Sequence, residues 1–246
     1  MDRQRSRLAA WGLRLGVLAL IVLALGIVGN RFEIVHFSVA LKGLALGAAI
    51  GVVAALVSAI ALVLTLVTSK HGVRTAIAGL VLGILVAAPV GQAMIVGSKV
   101  PGIHDISTDL DNPPAFKAVV AMRGGDANPL DRASPNDLAA QQRQAYPDIT
   151  TLNVAQHPGK VFEAALATAH DMGWEIIAAD PEAGRIEATA TTRVMNFKDD
   201  IVVRVTEMDM GAAVDIRSVS RVGVSDLGAN ANRIRTYLHA LKRKLG

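Results

Sequence analysis

The reading of the fold turns on RIEATATT, Arg185 to Thr192. Ile186, Ala188 and Ala190 fall on one face of an extended chain, and Glu187, Thr189 and Thr191 on the other. That period of two is the pattern of an antiparallel strand with one face buried. Just upstream, Asp180-Pro181-Glu182-Ala183-Gly184 reads as a turn and Trp174 to Ala179 as a strand. Before these, Val161, Ala164, Ala165, Leu166, Ala169 and Met172 share one side of a helix from Pro158 to Met172. Pro158 suits the first turn and Gly173 the stop. Downstream, Ile201 to Glu207 and Ala213 to Ser220 read as two strands around the turn Met208-Asp209-Met210-Gly211. The last helix spans Asn230 to Leu245. Ile234, Tyr237, Leu238, Leu241 and Leu245 form its apolar stripe, and Arg233, Arg235, Lys242, Arg243 and Lys244 its polar side. The order α-β-β-β-β-α predicts an α+β domain over 158–246, an antiparallel sheet covered on one face by helices.

Upstream of this domain the pattern breaks. Prolines at 101, 113, 114, 129, 135 and 147 interrupt any long element, and Gly124-Gly125 with Asp126 and Asn128 marks another turn. Residues 99–157 are therefore expected to be an irregular strap or linker.

Residues 1–98 have a different character. The chain is 52% hydrophobic but only 4% aromatic, with a mean hydropathy of +0.40, so the excess is aliphatic. Three apolar segments account for it, about Leu8 to Gly29, Val39 to Val67 and Thr75 to Gly97. Each reaches the roughly 20 residues needed to cross a hydrocarbon core as a helix. Arg14 and Lys42 lie near segment ends, where their stems snorkel to the headgroups. Gly29-Asn30-Arg31-Phe32 is a poor cleavage site after a long apolar stretch, so the first segment reads as a retained helix rather than a signal peptide.

Charge sets orientation. Residues 1–97 hold eight Lys/Arg and two acids, which leaves 17 basic and 19 acidic residues in 98–246. The net charge of +4 thus belongs to the membrane part, which argues against a nucleic-acid partner. Arg3, Arg5 and Arg7 precede the first segment, Lys70, His71 and Arg74 sit between the second and third, and Arg31 is offset by Glu33 in the loop between the first two. Positive-inside reasoning puts the N-terminus in the cytoplasm. Three crossings then place the C-terminal domain in the periplasm of a Gram-negative cell, on a multi-pass protein of the inner membrane.

Gly43, Gly47 and Gly51 form GxxxGxxxG, while Gly79 with Gly83 and Gly12 with Gly16 form GxxxG pairs. Such stripes let helix backbones approach closely. Two readings stand: the three helices pack on one another, or the glycines offer a docking face to another membrane protein. Surrounding lipid is the other expected partner. No acid or histidine lies mid-span, which argues against an ion pathway. With no cysteine in the chain, disulfides, thiol nucleophiles and thiolate metal sites are excluded.

Two stretches carry the candidate chemistry. The first is HDISTDLDNPPAF, His104 to Phe116, and the second is SVSRVGVSDLGANANR, Ser218 to Arg233. The His104-Asp-Ile-Ser-Thr-Asp109 run followed by Pro113-Pro114-Ala115-Phe116 resembles the opening signature of the domain of unknown function 1499 family. The segment from Asp215 to Arg235 is similar to its second signature, R-S-x-S-R, then G-x-x-D-x-G-x-N, then R-I. The resemblance covers about residues 101–245. It implies a membrane-associated bacterial or plastid protein and supplies no catalytic residue to carry over.

Asp105, Ser107, Asp109 and Asp111 alternate like the first ligands of a calcium loop, but Leu110 and Phe116 stand where that loop needs Gly and Glu, so no metal is assigned. The alternative is a strap whose Asp and Ser side chains satisfy its own turns, with Phe116 anchored in an apolar pocket. In the second stretch, Arg217, Arg221 and Arg233 beside Ser225–Gly228 resemble an anion cradle at a helix start. Against this, Asp226 repels anions, and Asp226 or Asn230 is an ordinary helix cap. The candidate ligand or partner contacts are His104, Asp105, Ser107, Thr108, Asp109, Arg217, Ser220, Arg221, Ser225, Asp226, Asn230 and Arg233. Ser218, Ser220 and Ser225 lack a nucleophile elbow, and the histidines lack metal spacing. No cofactor is implied. The leading expectation is a membrane-anchored, non-catalytic accessory or assembly subunit of an envelope complex. The alternatives are a module binding lipid or a small anion, and a hydrolase in which His104 is oriented by Asp105.

Overall fold

The computed structural model describes residues 5–68, 70–132 and 135–246, with the side chains of 135 and 136 left aside. Arg3 of the expected N-terminal charge cluster lies outside the described residues. The chain divides into two compact units, Met1–Val96 with Val194–Asn196, and Gly97–Arg193 with Phe197–Gly246.

The first unit contains α1 (Arg7–Arg31), α2 (Phe37–Val67) and α3 (Val73–Gly97), of 25, 31 and 25 residues. All three are long and apolar enough to cross a membrane. Ser6 caps α1 by accepting the amide of Ala9, and His36 caps α2 by accepting that of Ser38. What these helices bury is small: Ala9, Gly12, Gly16 and Ala19 on α1, Gly47, Gly51, Ala54 and Ser58 on α2, Ala76, Gly79 and Gly83 on α3. Many of their leucines, isoleucines and valines face outward, Leu25, Leu56 and Leu85 among them, while Val86 is buried. This inverts the soluble pattern, because lipid solvates large apolar side chains and the helices gain instead from close backbone approach.

The glycines are consumed in that approach. A Cβ on Gly83 would lie 2.5 Å from the carbonyl oxygen of Gly51, and one on Gly79 would lie 2.8 Å from the amide nitrogen of Leu13. One on Gly47 would meet Leu23 N at 3.1 Å, while Gly43 rests in ordinary contact with Gly26. In the structure these glycines lie against this chain's own helices, the first of the two readings of the stripes. At one end of the unit the amide of Ser6 donates to His71 O at 2.9 Å, joining the N-terminal stretch to the α2–α3 loop.

The second unit is built on a six-stranded antiparallel sheet: β1 (Asp105–Ser107), β2 (Leu152–Val154), β3 (Glu175–Asp180), β4 (Arg185–Thr191), β5 (Lys198–Met208) and β6 (Gly211–Ser220). The order is β1-β6-β5-β4-β3, with β2 also on β6. Helices α5 (Pro158–Asp171) and α6 (Ala229–Leu245) cover one face. Between them and the sheet lie Val161, Phe162, Ile186, Ile201, Val203, Ile216, Ile234 and Leu241. Trp174 stacks on Tyr237 at 5.0 Å between ring centroids, and the buried tyrosine hydroxyl donates to Ala165 O.

Two expectations need correction. The stretch 99–157 is no linker. It contributes β1, β2 and a helix, α4 (Pro135–Ala145), and it belongs to the same unit as 158–246. β1 and β2 lie end to end along β6, Asp105 to Ser107 opposite Val219 to Arg217 and Leu152 to Val154 opposite Val214 to Ala212. Strands of three residues carry too little alternation to show as a pattern. Nor is Arg185–Thr191 half-buried: Glu187 and Thr189 are 0% and 2% exposed. The face opposite the helices is covered too, by residues 113–132, and it is polar.

Candidate functional site

The register dictates what meets beneath that cover. On β6, Val214 and Ile216 belong to the core under the helices, so Asp215, Arg217 and Val219 turn the other way. Asp200 pairs with Val219, Thr189 with Asp200 and Asp105 with Val219. Glu187, Val202 and Arg217 form the neighbouring row. The polar residues of β1, β4, β5 and β6 therefore share the covered face.

Asp105 and Arg217 form a two-pronged pair. Arg217 Nε and Nη2 donate to the two carboxylate oxygens at 3.0 and 2.8 Å. The remaining donors of Arg217 reach Leu130 O and Pro114 O, and its guanidinium lies 5.2 Å from the centroid of Phe116. Phe116 thus anchors the strap by lying against an arginine, not in an apolar pocket. One strand across, the fully buried Asp200 accepts from Arg221 Nε and Nη2, from Arg123 Nη1 and from Thr189 Oγ1. Arg123 also donates to Asn128 O, and Asn128 donates to Ser220 O and Gly223 O. Glu187 accepts the amides of Lys117 and Val119 at 2.9 and 3.0 Å. Asp105, Asp200 and Glu187 thus each hold one point of the strap, at Arg132, at Arg123 and at the amides of Lys117 and Val119.

Further along, Asp215 accepts from Thr108 and Thr151, and Arg204 bridges Asp215 to Asp109. Asp109 also accepts the amides of Asp111 and Asn112, and Ser107 donates to Asp109 O, the expected local turns. Gln142 of α4 closes β1 by bonding both the amide and the carbonyl of Ser107.

The other candidates stand on the helix-covered face. Asn230 donates to His104 O and Ser220 Oγ and accepts from Ser218 Oγ. Arg233 pairs with Asp199. Asp226 accepts the amides of Gly228 and Asn230, capping α6, while Ser225 Oγ accepts from Leu227. Burial pushes the Asp226 carboxyl above its usual range, offset in part by those two amides.

So the structure brings the two motif stretches together, but not as a single cleft. The anion cradle is corrected: Arg217, Arg221 and Arg233 are spent on Asp105, Asp200 and Asp199, and the sheet separates Arg233 from the other two. The oriented histidine is corrected as well. Asp105 holds Arg217, and His104 Nδ1 lies 3.3 Å from Val224 O. A cavity of about 630 Å³ beside the start of α5, floored by Phe162, Leu166 and Val205, contains none of the candidate residues. Reading the sequence missed Arg123, Arg132, Glu187, Asp199, Asp200 and Asp215. Glu187, Asp199, Asp200 and Asp215 showed only as charges at strand positions that the tertiary structure buries, and Arg123 and Arg132 only as charges in irregular chain.

The charge balance beneath the strap is uneven. Arg123, Arg132, Arg217 and Arg221 share two carboxylates, Asp105 and Asp200. Arg132 takes the poorer part. Its side chain is 6% exposed, its Nε lies 3.5 Å from Asp105, and none of its three nitrogens has a hydrogen-bond partner among the described residues. Burial, with Arg217 nearby, holds its pKa below the ordinary arginine value. A buried guanidinium without hydrogen bonds is costly. Arg132→Met keeps the stem and removes the charge, so it is expected to stabilise the protein by about 1–3 kcal/mol. A rise in the thermal midpoint checks this; a fall would show that Asp105 needs both arginines.

In a comparison with family models, the one described as Protein of unknown function (DUF1499) matches residues 105–241. No curated protein matches the chain.

Proposed function

Because the chain belongs to the DUF1499 family, with three membrane-capable helices ahead of the family domain, we propose that it anchors this domain as a non-catalytic accessory or assembly subunit of a bacterial envelope complex. The observation that carries the reading is the fate of the motif residues. Arg217 and Arg221 pair with Asp105 and Asp200 and also donate to the strap carbonyls of Pro114, Leu130 and Met122, while Asp105 faces Arg132, a role in shape rather than in turnover. A domain whose hallmark residues build a rigid two-faced sheet is suited to presenting a surface.

In this reading the protein is multi-pass in the inner membrane, N-terminus in the cytoplasm and family domain in the periplasm. Arg5, Arg7, Lys70 and Arg74 support the orientation, since the N-terminal stretch and the α2–α3 loop meet at one end of the helical unit. One experiment reads both parts. A phosphatase fused after Gly246, at native abundance, is solubilised in mild detergent, then assayed and sized. Activity in an assembly larger than the fusion itself is expected. A stable but inactive fusion would overturn the orientation, and an active fusion running alone would overturn the accessory role.

A further inference from the structure

We propose that the cleft between the start of α1 and the end of α2 binds the phosphate of an anionic phospholipid. The cavity measures about 720 Å³, and Arg5, Arg7 and Lys70 line it, with Leu8, Leu64 and Thr68. No carboxylate among the described residues lines it. None of the three cations has an ion-pair partner among the described residues. Glu33 is the sole acid among the described residues of the helical unit, and it follows the far end of α1.

The amide end of α1 adds to the positive potential, with Ser6 satisfying one of its N–H groups. Thr65 and Thr68 donate to their own helix at Leu62 O and Leu64 O, so the phosphate is held by the guanidiniums and the ammonium. The leucines decide the source of that phosphate. A free ion makes no use of Leu8 and Leu64, whereas a glycerophospholipid lays its glycerol and first methylenes against them. The site also sits where two membrane-capable helices end, which is headgroup depth once they span the bilayer.

This inference rests on membrane insertion and not on which side the N-terminus faces, so a reversed orientation leaves it intact. The test uses the full chain in nanodiscs of mixed phosphatidylglycerol and phosphatidylcholine, with native mass spectrometry of the released protein. Retention of phosphatidylglycerol over phosphatidylcholine is expected. The triple variant R5Q/R7Q/K70Q should lose it, with affinity about a hundredfold weaker for three surface charges. K160Q/K242Q/R243Q removes three cations from the soluble unit and should retain the lipid. If the first triple variant unfolds in phosphatidylcholine alone, R5Q and K70Q singly should each show partial loss. Equal retention of both lipids, equal loss in both triple variants, or undiminished binding in R5Q/R7Q/K70Q would overturn the site. Displacement of the lipid by millimolar inorganic phosphate would overturn the choice of source.

Discussion

Asp200→Ala is expected to destabilise the soluble unit by about 3–5 kcal/mol, the cost of removing one partner from a buried ion pair. Asp200 is fully buried and accepts from three side chains, Arg123, Arg221 and Thr189. Without it, two largely buried guanidiniums remain with only Asn128 O, Met122 O and Thr189 to receive them. Nothing in the row replaces the lost charge, since Asp105 already serves Arg217 and Arg132. Denaturant unfolding followed through Trp174, in a Trp11→Phe background, measures the loss. Asp111→Ala is the comparison. That aspartate pairs with Arg143 at 2.9 Å in full exposure, and its removal should change stability by less than about 0.5 kcal/mol. Equal effects at the two sites would mean that the covered face is wet.

The second large effect is expected in the helical unit. In Gly83→Leu the Cβ alone would stand 2.5 Å from Gly51 O and 2.7 Å from Ala55 N. Both are backbone atoms, so the strain cannot be relieved by turning a side chain, and α2 and α3 must separate. Overpacking by alanine costs about 1–3 kcal/mol, and leucine exceeds that. In mixed micelles the SDS fraction at the unfolding midpoint should fall sharply for Gly83→Leu. It should stay unchanged for Gly91→Ala, where an added Cβ meets nothing within 4 Å. An unshifted midpoint for Gly83→Leu would mean that this helix contact does not hold the unit together.

These two sites differ in how far they could be read in advance. The Gly43–Gly51 and Gly79–Gly83 stripes were legible because a helix repeats every 3.6 residues and the spacing alone makes a groove. Their partner was not, since a groove is indifferent to whether its occupant comes from the same chain. Asp200 was invisible for another reason. It precedes Ile201, and within a strand an acid reads as solvent-facing until something is known to cover that face. Glu187 and Thr189 were misread in the same way, as the wet side of RIEATATT.

By itself the sequence determined the elements that rest on local physics. Length and apolarity sufficed for three membrane-capable helices, and periodicity for four long strands and the two helices over them, each within a few residues. Two motif stretches were also marked, by their resemblance to the signatures of one family. Only the tertiary structure decided that β1 and β2 line the edge of β6, that the sheet is covered on both faces, and that the motif arginines are spent on aspartates. The physical reason is separation along the chain. Asp105 and Arg217 are 112 residues apart, and no local preference of either specifies the other. Their pairing exists because a three-residue strand finds one register on β6, and that register is chosen by the whole folded sheet.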